Sequence, residues 1–235
     1  MSRPRNDLRQ YDDLQDQWWR PDGAFAALHW LARSRAELIP DAKRQGAVLL
    51  DLACGGGLLA PLVTGYRHIG LDAVASALRV AVQHGLTGVR GDVHHLPFRS
   101  ACADVVVAGE IFEHIADVEK MIDEIARVLR PGGIVIFDTL NDTRWSRFSM
   151  VSVGERAPGG PPPGIHDPDL FVDPSRLRAR FARHGISLTT WGLRPATIDY
   201  LRFLVARQRP VRFVRTKSVA GLYQGVGRKD PSWTL

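Results

Sequence analysis

The stretch Val48-Leu49-Leu50-Asp51-Leu52-Ala53-Cys54-Gly55-Gly56-Gly57-Leu58-Leu59-Ala60 constrains this chain more than any other. Residues 47–51 are a short apolar run closed by an acid. Continuous apolar runs are the mark of strands buried on both faces of a parallel sheet. Three consecutive glycines follow. Lacking a Cβ, they let the backbone turn sharply and let a ligand come into van der Waals contact with it. Residues 57–63 then read as the start of a helix, with its free N–H groups aimed over the turn. Such a unit places a nucleotide-type ligand at the carboxyl end of a sheet.

Strands and helices alternate through the rest of the chain. Strands are expected at 68–72, 88–92, 103–108 and 134–137. Helices are expected at 24–38, 74–84 and 117–129; in the last of these Val118, Met121, Ile122, Ile125, Val128 and Leu129 share one face. A helix begins at Asp173-Pro174-Ser175 and stops at Gly185, residues 196–209 read as helical, and 186–191 and 219–226 are candidate strands. The pattern predicts an α/β fold: a doubly wound, Rossmann-like, mostly parallel seven-stranded sheet with an antiparallel last strand, N-terminal helices and a lid insertion. It is read as a single domain over 1–235. Residues 1–44 form a helical cap, 45–140 the cofactor-binding core, 141–172 the lid, and 173–235 the completion of the sheet. Gly159-Gly160-Pro161-Pro162-Pro163-Gly164 admits neither helix nor central strand, so the lid is expected to be irregular and mobile.

Gly55-x-Gly57-x-x-Ala60 fits a dinucleotide fingerprint, but Asp51 argues against a pyrophosphate, whose charge it would oppose. S-adenosylmethionine has no phosphate, and it carries an ammonium group and a cationic sulfur that a carboxylate suits. Asp72 ends the second strand about 20 residues after the glycine loop, the spacing at which a carboxylate meets ribose hydroxyls. Asp92 ends the third strand, where it is placed to accept from an adenine amino group with Val93 against the ring. Ala53, Cys54, Gly55, Gly57, Ala73 and Glu110 complete the expected cofactor-binding set.

Hydrophobic content of 45% and charged content of 24% are ordinary for a globular chain. The first residues are polar, no apolar run is long enough to span a bilayer, and two cysteines do not make a disulfide framework. A reducing cytoplasm is the expected compartment. The net charge of +6 comes mostly from arginine spread along the chain, with one dense cluster at Arg202, Arg207, Arg209, Arg212, Arg215 and Lys217. That cluster makes peripheral contact with an anionic membrane a candidate property. A nucleic-acid acceptor is disfavoured, because no Asn/Asp-Pro-Pro-Tyr-like stretch follows the fourth strand and no binding module is appended. A binding module without catalysis is disfavoured by the intact Asp51, glycine loop and Asp72.

The order of motifs over residues 45–140 resembles the class I S-adenosylmethionine-dependent methyltransferases. Further segments are similar to the ubiquinone-biosynthesis O-methyltransferases. These are Trp18-Trp19-Arg20-Pro21-Asp22-Gly23-Ala24-Phe25, Leu28-His29, Cys54 to Ala60, Glu110 to Ile115, Thr139-Leu140-Asn141, and Gly164-Ile165-His166-Asp167 with Phe171 and Pro174. The resemblance implies methyl transfer to a hydroxyl of a catechol-like or quinone-precursor aromatic small molecule, with Trp18 and Trp19 covering the substrate side. Acceptors of another class, through nitrogen, carbon or nucleic acid, are the alternative.

Such a transfer requires alignment of the oxygen with the methyl group and removal of its proton. Glu110, Glu113 and His114 fall at i, i+3 and i+4, on one face if the segment is helical. They are a candidate site for Mg²⁺ or another divalent metal, and the resemblance points to the same triad. Without a metal, His114 or His166 is the candidate base, with Glu110 beside them.

Overall fold

The computed structural model describes residues 3–207 and 209–233. The strands are β1 (Ala47–Leu52), β2 (Tyr66–Asp72), β3 (Thr87–Arg90), β4 (Ala103–Gly109), β5 (Leu129–Leu140), β6 (Ile186–Pro195), β7 (Phe213–Thr216) and β8 (Leu222–Lys229). They form one sheet in the order β3-β2-β1-β4-β5-β8-β6-β7. The first five lie parallel; β8 enters antiparallel between β5 and β6, and β7 pairs antiparallel with β6. The order reverses between β1 and β4, which opens a crevice at their carboxyl ends.

Strand parity divides the core. Leu50, Leu52, Val106, Ala108, Val135 and Phe137 face one side. There they meet Met121, Ile122 and Ile125 of α4 (Val118–Val128) and Leu177 and Phe181 of α6 (Pro174–Ala182). Leu49, Val105, Val107, Ile134 and Ile136 face the other side. Both faces are dry, which is why these strands read as unbroken apolar runs. Asp117 and Asp173 cap α4 and α6 by accepting from the backbone N–H of Lys120 (3.0 Å) and Ser175 (2.6 Å).

Three expectations are corrected. The sheet has eight strands among the described residues, not seven. The added edge strand β7 lies in the arginine-rich tail, and its Arg215 guanidinium sits 4.0 Å over the Trp191 ring. Charged side chains are usual on a sheet edge, so the arginines masked a strand. Residues 57–63 hold no α-helix, only a 3₁₀ turn at Ala60–Leu62. Gly65, at φ 77°, turns the chain into β2 almost at once and leaves no room for more. The vacant face is covered from the N-terminal side, where Ala36, Leu38 and Ile39, at and beyond the end of α2 (Ala26–Ala36), pack with Leu59 and Val63. Finally, Glu110 to His114 is not a helix: Phe112–His114 is one 3₁₀ turn, and Glu110 stands at φ 50°.

The remaining helices are α1 (Arg9–Asp13), α3 (Ala75–Gln83), α5 (Arg144–Ser146) and α7 (Thr197–Val205). α5 runs into a π-helical stretch, Arg147–Val153, and residues 158–164 carry no regular structure. No helix among the described residues is long and apolar enough to cross a membrane.

The glycine loop is occupied by protein. A Cβ on Gly55 or Gly56 would overlap the Trp18 indole. Trp18 is buried and stacks on Phe25 with centroids 4.0 Å apart. Trp19 stacks on His84 at 3.9 Å and donates from Nε1 to the Gly56 carbonyl at 2.9 Å. The tryptophan pair thus fastens the N-terminal segment to the loop. Trp18→Ala should lower the unfolding free energy by about 3–5 kcal/mol, the usual loss for a truncated core aromatic, as read by chemical denaturation.

Candidate active site

The ends of β1 and β4 carry the floor of the site. At each exit a residue other than glycine is held in the left-handed region: Ala53 at φ 52° after β1 and Glu110 at φ 50° after β4. Such conformations cost on the order of 1–3 kcal/mol each and gather at functional sites. Between these exits a cavity of about 1100 Å³ opens. Asp51, Ala53, Cys54, Gly55, Asp72, Ala73, Asp92, Val93, Glu110, His114 and His166 all line it. Gly57 does not; it packs against Ala81 of α3. Glu113 is fully buried behind the wall.

The acids differ in their environments. Asp72 accepts from the N–H of Gly55 and of Val74, both at 2.8 Å, and so ties the glycine loop to the end of β2. Burial nevertheless raises its pKa, with Asp51 adding to the effect. Asp51 lies 3.5 Å from His68 Nε2. Asp92 caps a turn, accepting from the N–H (2.9 Å) and Nδ1 (2.7 Å) of His94, and these contacts hold its carboxyl below the usual range. Burial pushes the Cys54 thiol up, with Asp51 and Asp72 adding to the effect, so it has no thiolate character at neutral pH.

Arg35 was not singled out from the sequence. Its guanidinium is buried beneath the cavity and donates from Nη1 to Asp138 Oδ1 at 2.5 Å. A Cβ on Gly109 would overlap it. Burial opposes the charge on Arg35, but Asp138, Glu110 and Asp51 outweigh the effect and raise its pKa. Arg35 lies on the buried face of α2 with Trp30, Leu31 and Ala32. An arginine on an apolar helical stripe was a readable signal, and so was the Asp138 that interrupts the apolar run of β5.

The expected triad of Glu110, Glu113 and His114 does not assemble. With no helix to align them, Glu110 turns towards Arg35 and Asp138, and burial, then the Glu113 and Asp138 charges, raise its pKa well above the carboxylate range. A different trio converges: Glu113, His114 and His166 each offer a ligand atom within 4.8 Å of the others. Glu113 Oε2 accepts from the Thr139 hydroxyl at 2.6 Å, while Oε1 has no hydrogen-bond partner among the described residues. Burial lifts Glu113 to about 7. The His114 and His166 rings stack at 5.3 Å, and burial, then the His166 charge, push His114 down to about 3. His114 is therefore neutral at physiological pH.

The segment 155–166, within the stretch expected to form a lid, is tied down by residues near the N-terminus. Arg5 Nη2 donates to Glu155 Oε1 at 2.6 Å, and Arg5 Nε to the His166 carbonyl at 2.5 Å. Gly164 N–H donates to Glu155 Oε2 at 2.8 Å, and the Gly164 carbonyl accepts from Asn6 N–H (3.0 Å) and Gln10 Nε2 (3.1 Å). Burial pushes Glu155 up, but His166, the Gly164 N–H and Arg5 outweigh it and hold the group at about 2, against an ordinary 4.5. A depressed folded-state pKa gives stability that is present above about pH 4.5 and lost as pH falls towards 2. Acidification across that window should therefore destabilise the protein. Glu155→Gln should flatten that limb in chemical denaturation measured at pH 5 and pH 3.

Known proteins agree with this architecture. Residues 50–137 match the family described as "Methyltransferase domain". A ubiquinone biosynthesis O-methyltransferase of Nitrobacter winogradskyi is 31% identical over 212 residues, covering 79% of this chain and 78% of the relative. One from Paraburkholderia phytofirmans is 34% identical over 188 residues, covering 76% and 81%. The structure of a possible histamine N-methyltransferase from Thermotoga maritima superposes with a TM-score of 0.66 at 14% identity, covering 95% of this chain and 98% of its own. That last likeness speaks for the fold alone. The strand-end acids, the glycine loop and identity sustained over most of the chain lead to one conclusion: this chain belongs to the ubiquinone biosynthesis O-methyltransferase family and is an S-adenosylmethionine-dependent methyltransferase.

Proposed function

We propose that this enzyme transfers the methyl group of S-adenosylmethionine to a hydroxyl of a catechol-like aromatic small molecule of the quinone-precursor class. The observation that carries the reading is that one cavity joins the row of strand-end acids to the His114–His166 pair. In this reading Asp51 faces the cofactor's ammonium group, with Ala53, Cys54 and Gly55 alongside. The outward lone pairs of Asp72 accept from the ribose hydroxyls, with Ala73 beside them, and Asp92 and Val93 meet the adenine. Glu110 closes the floor between cofactor and acceptor. The apolar remainder, including Trp30, Leu31, Met150 and Leu222, fits an aromatic ring.

The transfer is an in-line displacement. The acceptor oxygen forms a bond to the methyl carbon as the carbon–sulfur bond breaks, and the sulfonium becomes a neutral thioether. The hydroxyl proton passes to His114 Nε2, the ring nitrogen that does not face Asn6. Burial disfavours an imidazolium at His114, so the step depends on Glu113, which lies beside the ring and in its ionised form balances that charge as the proton arrives. His166 is the alternative base.

One observation favours a second reading. The partnerless, fully buried Glu113 Oε1 beside two imidazoles fits a divalent ion held by Glu113, His114 and His166. One carboxylate and two imidazoles suit zinc or manganese better than Mg²⁺. Such an ion would supply a Lewis acid that lowers the pKa of the acceptor hydroxyl. Methyl transfer to catechol, measured with and without EDTA, separates the readings. EDTA-insensitive turnover, with His114→Ala losing about a hundredfold or more in kcat while calorimetric cofactor binding is kept, supports the base. Turnover abolished by EDTA and restored by zinc or manganese supports the ion. A His114→Ala enzyme with full kcat would exclude His114 from both roles and leave His166 as the base.

The surface supports peripheral contact with an anionic membrane. α7 leaves Ile198, Leu201, Leu204 and Val205 exposed, the last at 90%, and Arg202, Arg207 and Arg209 are exposed beside them. Apolar side chains ringed by guanidinium groups match a bilayer of anionic lipids. Co-sedimentation with phosphatidylglycerol vesicles should exceed that with phosphatidylcholine vesicles, fall with salt, and be lost in Leu201→Glu/Val205→Glu. Equal sedimentation with both lipids would refute the contact.

A further inference from the structure

We infer that Asn6 is a positioning residue that fixes the tautomer of His114 and presents its Nε2 lone pair to the cavity. The catalytic consequence rests on the reading of His114 given above.

Asn6 meets His114 twice, although the two residues are far apart in the chain. Its Nδ2 donates to the His114 backbone carbonyl at 2.9 Å, and its Oδ1 lies 2.8 Å from His114 Nδ1. A backbone carbonyl can only accept, so the amide nitrogen is committed to that side. The amide oxygen must then face Nδ1, and it too can only accept. The hydrogen therefore sits on Nδ1, and in the neutral ring Nε2 carries the free lone pair. Proton removal and metal ligation alike require that lone pair at the cavity, which His114 lines.

The chain holds Asn6 for this task. Its backbone stands at φ 59°, a region that asparagine tolerates better than most residues. Its N–H donates to the Gly164 carbonyl at 3.0 Å, and the preceding Arg5 is bound to Glu155 and the His166 carbonyl. The amide is thus anchored on the lid and reaches across to the ring. The φ value alone would account for asparagine or glycine here; the two side-chain bonds account for the amide.

The test uses Asn6→Gly, which keeps the left-handed backbone without strain and removes the amide, and Asn6→Asp, which keeps an acceptor for Nδ1–H. The tautomer is read from two-bond ¹H–¹⁵N spectra of histidine-labelled enzyme, with His114→Gln to assign the ring. The wild type should show a protonated Nδ1 and a bare Nε2. In Asn6→Gly the ring should lose that preference, and kcat should fall about tenfold to a hundredfold. KM for cofactor and for catechol should stay within about twofold, since the residue acts through His114 and not on binding. Asn6→Asp should restore the tautomer and recover most of kcat. A wild-type ring protonated on Nε2, or one that keeps Nδ1–H in Asn6→Gly, would overturn the inference. A tautomer that shifts with no loss of kcat would support the hold of Asn6 on the ring and overturn instead the role assigned to His114.

Discussion

A single buried guanidinium organises the carboxyl end of this sheet. Arg35 comes from the N-terminal helix α2, passes under Gly109 and bonds Asp138. Asp51 and Glu110, at the ends of the two strands where the sheet order reverses, both feel its charge. Without it the acids would stand together in a region too dry to hold their charges apart. Removing one member of a buried ion pair costs about 3–5 kcal/mol, chiefly because the other charge is stranded. Arg35 is placed there because no α-helix follows the glycine loop. The turn at Ala60–Leu62 is short, so the end of α2 packs into the uncovered face and brings Arg35 with it.

The N-terminal segment is therefore part of the site, not an ornament on it. Trp18 fills the space that Gly55 and Gly56 leave free, Arg5 and Asn6 bind Glu155 and Gly164, and Asn6 also holds His114. The glycines of the loop thus admit an indole from the chain's own N-terminal segment. The expectation that the tryptophan pair covers the substrate side is answered by packing. Trp18 does line the cavity, but it does so while stacked on Phe25 and wedged against the loop.

Much of the plan was legible in the sequence because it is local. The apolar runs of β1, β4 and β5, the apolar stripe of α4 and the acids at strand ends depend on short-range period and on burial of both sheet faces. The corrections came where a local pattern competed with the path of the chain. The i, i+3, i+4 spacing of Glu110, Glu113 and His114 implied a helical face. The chain leaves β4 through a left-handed residue instead, and that sends Glu110 towards Arg35. The arginines around Phe213 and Thr216 read as a surface cluster and hid an edge strand.

The doubly wound sheet, its parallel core and the row Asp51, Asp72, Asp92 at the strand ends follow from the order of the residues alone, since hydrophobic period and turn chemistry act over a few positions. The pairing of Arg35 with Asp138, the meeting of Glu113 and His114 with His166, and the grip of Asn6 on His114 were decided by the tertiary structure. Each joins residues distant in the chain, and each is fixed by the need of a buried polar group for a partner, which only the folded geometry can supply.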